Sequence, residues 1–137
     1  MKLALDHVVL EVRDVEVSAA FYRRVLGLAP VRLAEWKRGE APFVSARVSP
    51  ETIVDLFPPG FWRNKRRAQN PNHVCFTLSQ AGVAAVRRRL KRLRVPIVQE
   101  SPRNYGARGW GVSLYFLDPD GVRLEARYYR RAARKRA

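Results

Sequence analysis

The sequence predicts an α+β chain of two tandem modules, each built as a strand, a helix and three further strands (βαβββ). The first observation is a repeated start, Asp-His-Val at residues 6–8 and Asn-His-Val at residues 72–74, each leading into an apolar strand. The second is an amphipathic helix after each of these strands. The third is an acid in each closing strand, Asp55 and Glu125. Two such modules can be related by a pseudo-twofold axis, so that their curved mixed sheets enclose a shared cavity.

The order of these elements sets the predicted boundaries along the 137 residues. The first module spans about 3–60, a linker spans 61–71, the second module spans about 72–129, and a basic tail covers 130–137. With 47% hydrophobic residues, a chain of this length can bury a core. We therefore expect a single domain made of two half-size modules.

In the first module, β-branched residues at 5–12 predict a strand that carries His7. Asp14 is the predicted N-cap of the following helix and Gly27 its C-terminal stop, because apolar residues recur at helical spacing between them. The rest of the module has the composition of a strand, a polar loop and two strands, at 31–33, 37–40, 43–48 and 52–57.

In the second module, residues 72–78 repeat the first strand, with His73 near its start. Ser79 is the predicted N-cap of a helix that runs to Arg94. Asp-Pro-Asp-Gly at 118–121 predicts the turn of a β-hairpin, because proline presets φ and glycine accepts a positive φ. Between the helix and the hairpin the sequence predicts a short strand at 95–98 and a glycine-rich loop at 101–111.

The formal net charge of +15 would attract nucleic acid or an anionic substrate. The basic run at 87–94 keeps apolar residues at a helical period, so its arginines are expected on the solvated face of a helix. No nucleic-acid-binding motif accompanies the charge, so no specific nucleic-acid partner is predicted. No apolar run is long enough to span a membrane or serve as a signal peptide, which predicts a cytoplasmic protein without a membrane partner. The single cysteine, Cys75, excludes an internal disulfide framework and is expected to pack as a small apolar residue.

The chain's two histidines, His7 and His73, occupy equivalent places in the two repeats, and each repeat closes with an acid. Two neutral imidazoles with one or two carboxylates suit Fe(II), Mn, Co, Ni or Zn and leave coordination positions for water or substrate. We therefore predict one divalent metal ion held by His7, His73 and Glu125. Asp55 is the candidate fourth ligand, directly or through a water. Each histidine alone is also compatible with a structural role, and Glu125 with an exposed strand face flanked by arginines.

Four motifs stand in order along the chain, at residues 6–10, 21–28, 72–76 and 113–121, and Glu125 follows them. Together they resemble the vicinal oxygen chelate superfamily. That superfamily contains glyoxalase I, bleomycin-resistance proteins, fosfomycin-resistance thiol transferases and extradiol dioxygenases. The resemblance extends to about residue 129, and it is specific for the fold but not for the reaction.

The resemblance implies paired βαβββ modules in a homodimer whose metal sites can use residues of both subunits. It places the family's metal ligands at His7, His73 and Glu125, and glyoxalase I adds an acid at the position of Asp55. The metal would bind two neighbouring substrate oxygens as a Lewis acid and stabilise an enediolate or alkoxide. In a glyoxalase-like reaction, Glu125 or Asp55 would be the base that moves a proton from the carbon next to a carbonyl.

The other branches of the superfamily differ from this chain in ways that leave its reaction open. Glyoxalase I has Glu at the position of Asp55, which leaves the fourth ligand and the base undecided. Extradiol dioxygenases are usually longer and carry an additional acid or base that has no evident counterpart here. Bleomycin-binding relatives normally lack the metal residues, which this chain retains.

The fosfomycin transferases resemble the hairpin at 113–125. This resemblance makes Ser113 and Tyr115 candidates for binding an anionic substrate, with a basic residue such as Arg103 or Arg134 in support. Those enzymes carry a hydroxyl residue at the position of Val9. Three aromatic residues are further candidates for the lining of the cavity, although aromatics in strands are more often core: Trp110, Phe76 and Trp62.

The sequence thus predicts a metal-dependent, glyoxalase-like enzyme of the lyase or isomerase type. Its substrate would be a small molecule with two adjacent oxygens, such as an anionic compound or a thiol adduct. A fosfomycin-type thiol transferase and an extradiol-type dioxygenase are the enzymatic alternatives. The alternative of another class is a metal-free protein that sequesters a drug.

Overall fold

The computed structural model describes residues 1, 3–61 and 70–131 of the chain. Most of the predicted linker, with Trp62, and residues 132–137 of the predicted basic tail, with Arg134, therefore lie outside the described residues. The chain divides into two compact units. The first unit is Met1–Pro71 with Asp118–Gly121, and the second unit is Asn72–Leu117 with Val122–Ala137.

The first unit contains four strands and two helices. In chain order these are β1 (His7–Glu11), α1 (Val15–Leu26), β2 (Ala29–Val31), α2 (Leu33–Lys37), β3 (Val44–Arg47) and β4 (Ile53–Phe57). The sheet has the strand order β1-β4-β3-β2. β1 pairs with β4 in parallel and the other neighbours are antiparallel, so the sheet is mixed.

The second unit contains four strands and one helix. These are β5 (His73–Thr77), α3 (Gln80–Arg92), β6 (Ile97–Gly106), β7 (Gly109–Leu117) and β8 (Arg123–Tyr128). The strand order is β5-β8-β7-β6, again with one parallel pair, between β5 and β8. Two four-stranded mixed sheets with helices confirm the predicted α+β class and the two modules.

The duplication extends to the register of the strands. In the first sheet Val9 lies opposite Asp55, two residues after His7. In the second sheet Cys75 lies opposite Glu125, two residues after His73. Each unit therefore places its histidine and its acid on neighbouring parallel strands with the same offset.

The predicted caps of the two long helices are confirmed, whereas α3 ends at Arg92, two residues before the predicted Arg94. Asp14 caps α1 by accepting a hydrogen bond from the Val17 backbone N–H, and Gly27 ends the helix in the left-handed conformation with φ of 71°. Ser79 caps α3 in the same way, from the Gly82 backbone N–H. Capping residues were thus a reliable guide to where each long helix begins.

Two predictions for the segments between these elements are wrong. The strand expected at 31–33 lies earlier, at Ala29–Val31, and Arg32 turns the chain with φ of 65° into the short helix α2. The polar loop expected at 37–40 therefore begins only after that helix. The segment expected to be a loop at 101–111 instead forms the paired ends of β6 and β7, and two of its glycines, Gly106 and Gly111, lie against the side chain of Arg127.

Each sheet has one apolar face that forms the core of its unit. In the first unit this core includes Leu10, Tyr22, Val25, Val44 and Leu56, none of which has any exposed surface. In the second unit the fully buried residues include Val86, Leu90, Phe116, Leu124 and Ala126. No helix in the described part of the chain is both long and apolar enough to cross a membrane.

The Asp-Pro-Asp-Gly turn at 118–121 belongs to the first unit. The buried Tyr22 hydroxyl donates to Asp118 Oδ2 at 2.8 Å, and the Arg13 backbone N–H donates to Asp120 Oδ1 at 2.9 Å. Burial, and then the Asp118 carboxylate, raise the pKa of Tyr22, so its hydroxyl stays a donor.

Candidate active site

The second sheet carries a row of polar side chains on the face opposite its apolar core. Side chains alternate along a strand, so Glu125 and Arg127 of β8 share this face with Ser113 and Tyr115 of β7. His73 of β5 and Asn104 of β6 complete the group that we call the polar face of the second sheet.

The carboxylate of Glu125 lies beside the imidazole of His73. His73 Nε2 is 3.4 Å from Glu125 Oε1, and the histidine is 41% exposed while Glu125 is 3% exposed. His73 Nδ1 is 2.9 Å from Asn72 Oδ1 and donates to it. With its proton on Nδ1, a neutral imidazole presents a lone pair on Nε2. In that tautomer, one nitrogen lone pair and one carboxylate oxygen face each other.

The second carboxylate oxygen of Glu125 is held by the protein. Glu125 Oε2 accepts hydrogen bonds from the Ser113 hydroxyl at 2.6 Å and from Asn104 Nδ2 at 3.3 Å. Asn104 Nδ2 also donates to the Tyr115 hydroxyl at 2.8 Å. These partners bond Oε2, and Oε1 is the oxygen that faces His73.

A buried guanidinium supports the same oxygen. Arg127 is 4% exposed, and its Nη1 lies 3.3 Å from Glu125 Oε2. The guanidinium also donates to two backbone carbonyls, from Nη2 to Asn104 at 2.8 Å and from Nη1 to Tyr105 at 3.3 Å. Arg127 Nε has no hydrogen-bond partner among the described residues. A buried charge pair of this kind fixes the orientation of the carboxylate.

Two glycines make room for that guanidinium. A Cβ at Gly111 would lie 2.8 Å from Arg127 Nη2 and 2.9 Å from the Tyr128 carbonyl oxygen. A Cβ at Gly106 would overlap the same guanidinium. These glycines are therefore required by the packing of Arg127 and not by loop flexibility.

A β-bulge in β6 brings Asn104 to the polar face. The pairing of β6 with β7 shifts between Ser101 and Asn104, so that Ser101 lies opposite Ser113 and Asn104 opposite Gly111. Without the extra residue, strict alternation would turn Asn104 to the other face. The bulge thus turns the Asn104 amide toward Glu125, to which it donates a hydrogen bond.

The environment keeps Glu125 ionised. Burial acts to raise the pKa of the carboxyl group, but hydrogen bonds from Ser113, Tyr115 and Asn104 outweigh it and hold the pKa below its usual value. Burial, and then the Glu125 charge, raise the pKa of Tyr115. The site therefore pairs an anionic carboxylate with a phenol that stays protonated.

The first sheet has a smaller version of this arrangement. Asp55 is 5% exposed and accepts a hydrogen bond of 2.6 Å from the Ser45 hydroxyl. His7 Nδ1 lies 2.6 Å from Asp6 Oδ1, as His73 does from its preceding residue. The bond to Asp6 and then the Asp55 charge raise the pKa of the exposed His7. Both predicted histidine and acid pairs thus lie within one unit each, and their convergence on one ion stays a prediction.

Three predicted substrate contacts lie away from Glu125. Trp110 is an odd number of residues from Ser113 in the continuous strand β7, so its side chain points to the opposite face. Arg103 stacks on Trp110 there, with its guanidinium carbon 3.9 Å from the ring centroid. Phe76 lies opposite Ala126 and shares the apolar face. Ser113 and Tyr115 are the predicted contacts that the structure brings to the carboxylate.

Sequence reasoning missed three residues that contact the acids: Asn104, Arg127 and Ser45. Arg127 was visible only as a possible exposed neighbour of Glu125, and the signal for its burial was the pair of glycines at 106 and 111. Asn104 depends on a bulge that has no distinct sequence pattern. Ser45 lies opposite Asp55 in the β3–β4 pairing, which register alone would have indicated.

The donor atoms fit a divalent metal in part. Neither unit, over its described residues, brings together three or more His, Cys, Asp or Glu side chains as a metal-binding group. The pair formed by His73 Nε2 and Glu125 Oε1 is nevertheless the combination of imidazole and carboxylate that Zn, Mn, Fe, Co and Ni bind. Hydrogen bonds to Nδ1 and Oε2 orient both ligands, as such partners do in metal sites.

Comparison with known proteins gives consistent matches. The model of the Glyoxalase/Bleomycin resistance protein/Dioxygenase superfamily matches residues 4–126. The chain is 30% identical to Glyoxylase I 4 of Arabidopsis thaliana over 89% of this chain and 68% of that protein. It is 29% identical to Glutathione transferase FosA of Serratia marcescens, over 98% of this chain and 86% of that one.

A solved structure of similar fold is the integron cassette protein VCH_CASS1 from the mobile metagenome of V. Cholerae. It has a TM-score of 0.74 and 27% identity, and the match covers 95% of this chain and 98% of that one. The likeness in sequence and in fold therefore extends over nearly the whole chain.

Proposed function

Because the chain belongs to the Glyoxalase/Bleomycin resistance protein/Dioxygenase superfamily, we propose that it is a metal-dependent, glyoxalase-like enzyme. Its substrate would be a small molecule with two adjacent oxygens. The observation that carries the proposal is the pair of atoms, His73 Nε2 and Glu125 Oε1, that face each other at 3.4 Å while hydrogen bonds occupy their partner atoms.

These two atoms would hold a divalent cation. His7 and Asp55 are the proposed ligands from the first unit. When bound, the cation would supply Lewis-acid polarisation of the two substrate oxygens. The similarity to Glyoxylase I 4 of Arabidopsis thaliana supports this branch of the superfamily.

The chain's own residues would bind the substrate and move its proton. The Tyr115 hydroxyl and the Asn104 amide lie next to the carboxylate and are placed to orient a polar substrate. Glu125 is one proposed base for a carbon-bound proton, because its carboxylate is ionised; to take the proton, Oε1 would have to give up its contact with the cation when the substrate oxygens bind. Asp55 is the alternative base.

A thiol transferase is the second candidate. It is favoured by the similarity to Glutathione transferase FosA, which covers 98% of this chain. In that case Ser113 and Tyr115 would contact an anionic substrate. The residue opposite Asp55 is Val9, which cannot supply the hydroxyl expected for that branch.

Metal content tests the proposal. Protein without a histidine tag is loaded with Co(II) and dialysed, and metal per chain is measured by mass spectrometry under native conditions, which also reports whether the chain is a homodimer. We expect bound metal in the natural sequence and a loss of affinity of about tenfold or more for His73→Ala. Arg123→Met is the matched control, since Arg123 lies on the same face without contacting the acid and should retain the metal.

Substrate screening then separates the branches. Methylglyoxal with a thiol, fosfomycin with a thiol, and catechols under anaerobic iron loading are compared on the metal-loaded protein. Turnover of the first supports the proposal and turnover of the second supports the thiol transferase. Absence of metal in the natural sequence, with metal content unchanged in His73→Ala, would favour a metal-free drug-binding protein instead.

A further inference from the structure

The second unit has a cavity on the face of its sheet that points away from Glu125. The cavity has a volume of about 250 Å³ and is lined by six residues: Pro102, Arg103, Trp110, Gly111, Val112 and Arg130. Val112 pairs with Tyr128 and adjoins Ser113, whose side chain lies on the polar face, so Val112 points the other way. This cavity is therefore separate from the candidate active site.

The β-bulge that brings Asn104 to the polar face also places its neighbour Arg103 on the opposite face of the sheet, where the cavity lies. The Arg103 guanidinium lies over the Trp110 ring at 3.9 Å. A guanidinium stacked by its flat face keeps its N–H groups free around its edge, where they match the two oxygens of a carboxylate or phosphate. Stacking also fixes the long side chain, which reduces the entropy lost when an anion binds.

The cavity carries positive charge that no acidic side chain in the described part of the chain pairs with. Over the described residues, neither Arg103 nor Arg130 forms an ion pair, whereas Arg87 of the same unit pairs with Glu100 and Arg127 with Glu125. The side chains that line the cavity include two arginines and no acid. A bound anion would supply the missing charge.

Trp110 gives the cavity an apolar wall. Its side chain is 54% exposed, although its ring contacts both Arg103 and Tyr105. Val112 and Pro102 add apolar surface beside it. An exposed indole next to unpaired guanidinium groups is suited to a ligand with a charged end and a flat apolar part.

We propose that this cavity binds a small aromatic phosphate or carboxylate, with the oxyanion on Arg103 and Arg130 and the ring against Trp110. A volume of about 250 Å³ is close to the lower limit for small-molecule sites and holds a ligand of this size. The proposal does not depend on the metal chemistry of the polar face.

Phenyl phosphate is the probe, and the full chain is titrated in a ¹H–¹⁵N NMR experiment. We expect saturable shifts of the Trp110 indole N–H and of the Val112 backbone amide. Arg103→Met and Arg130→Met should each weaken binding by about tenfold or more, since each removes a charge-assisted contact.

Arg108→Met is the matched control. Arg108 lies in the same hairpin and stacks on Tyr129 at 4.6 Å, but it does not line the cavity. It removes the same charge, so its dissociation constant should stay within about twofold of the natural one. Equal weakening by Arg103→Met and Arg108→Met would mean general electrostatic attraction and would overturn the proposal.

Two further outcomes decide the ligand class. Phenol, which lacks the charge, should not saturate the site, and inorganic phosphate should bind more weakly than phenyl phosphate. Equal affinity for phenyl and inorganic phosphate would overturn the role of Trp110. Shifts confined to Ser113 and Tyr115 would place the probe on the polar face and refute the second site.

Discussion

The two sheets place an acid at the same register but surround it differently. Asp55 in the first sheet lies opposite Val9 and Ser45, and its hydrogen bond from Ser45 is 2.6 Å long. Glu125 in the second sheet lies opposite Cys75 and Tyr115, and it is bonded by a hydroxyl, an amide and a guanidinium. Duplication thus supplied the position of the acid and not its surroundings.

The difference is greatest two residues further along each strand. Phe57 follows Asp55 and packs on Phe43 with ring centroids 4.7 Å apart. Arg127 follows Glu125 at the equivalent position, and Ser113 lies opposite it. An apolar aromatic pair in one sheet is replaced by a buried guanidinium and a hydroxyl in the other. This replacement is what gives the second acid its fixed orientation.

Removal of the buried guanidinium should have the largest effect. Arg127→Met leaves the Glu125 carboxylate buried without its positive partner, which we expect to lower the free energy of unfolding by about 3–5 kcal/mol. Urea denaturation followed by circular dichroism measures it. Arg123→Met is the matched control, since the partly exposed Arg123 stacks on Tyr115, and it should cost about 1 kcal/mol or less.

The glycine beside the guanidinium provides an independent check. Gly106→Ala should destabilise the natural sequence by about 1–3 kcal/mol, because the new Cβ displaces Arg127. In the Arg127→Met background the same change should cost less. Two results would contradict the view that Gly106 makes room for Arg127. The first is a loss of stability in the double variant equal to the sum of the two single losses. The second is a similar loss for Arg127→Met and Arg123→Met.

A second prediction concerns the two hydroxyl donors. Ser45→Ala removes a close donor from buried Asp55 and should cost about 1.5–3 kcal/mol, since hydrogen bonds to charged groups are the strong ones. Ser113→Ala should cost about 1 kcal/mol, because Asn104 and Arg127 still hold Glu125. Urea denaturation compares the pair. Equal costs would mean that the richer network of the second sheet gives its acid no additional support.

Much of this framework could be predicted from the sequence. The repeated histidine motifs, the caps Asp14 and Ser79, and the Asp-Pro-Asp-Gly turn are local signals, and each identified its element correctly. Strand ends were less predictable because β6 and β7 continue through Gly106 and Gly111, residues that usually indicate a loop. In this hairpin the glycines accommodate a side chain from β8.

The candidate site was predicted less completely than the fold. Trp110 was predicted to line the cavity with Tyr115, because residues 101–111 were expected to form a loop. Once β7 is known to start at Gly109, alternation from Ser113 places Trp110 on the opposite face from Tyr115. The contact of Asn104 with Glu125 could not be predicted, because it requires the bulge after Ser101. Sequence motifs indicate which residues are candidates for the site. Irregularities in strand pairing, such as this bulge, determine which of those side chains are in contact.

The last prediction concerns reactivity and not stability, at Cys75, the counterpart of Val9 in the first sheet. Contrary to the packing expected from the sequence, the residue is exposed. Partial desolvation of the thiol beside Glu125, and then the Glu125 charge, raise its pKa from 9.0 to about 12. At pH 8 the thiolate fraction should be roughly a thousandfold below that of an ordinary thiol. A thiolate with a higher pKa is a stronger nucleophile, which offsets part of the decrease in thiolate fraction. Alkylation should therefore be about fifty-fold slower than for a small reference thiol.

Iodoacetamide labelling across pH measures this directly, because the chain has a single cysteine. The thiol pKa is raised, so the rate should keep increasing with pH toward about 12. Glu125→Gln removes the neighbouring charge and should shift the profile to lower pH, whereas Asp55→Asn in the other unit should leave it unchanged. A rate that levels off near the ordinary thiol pKa would show that Glu125 does not act on Cys75 as an ionised, buried neighbour.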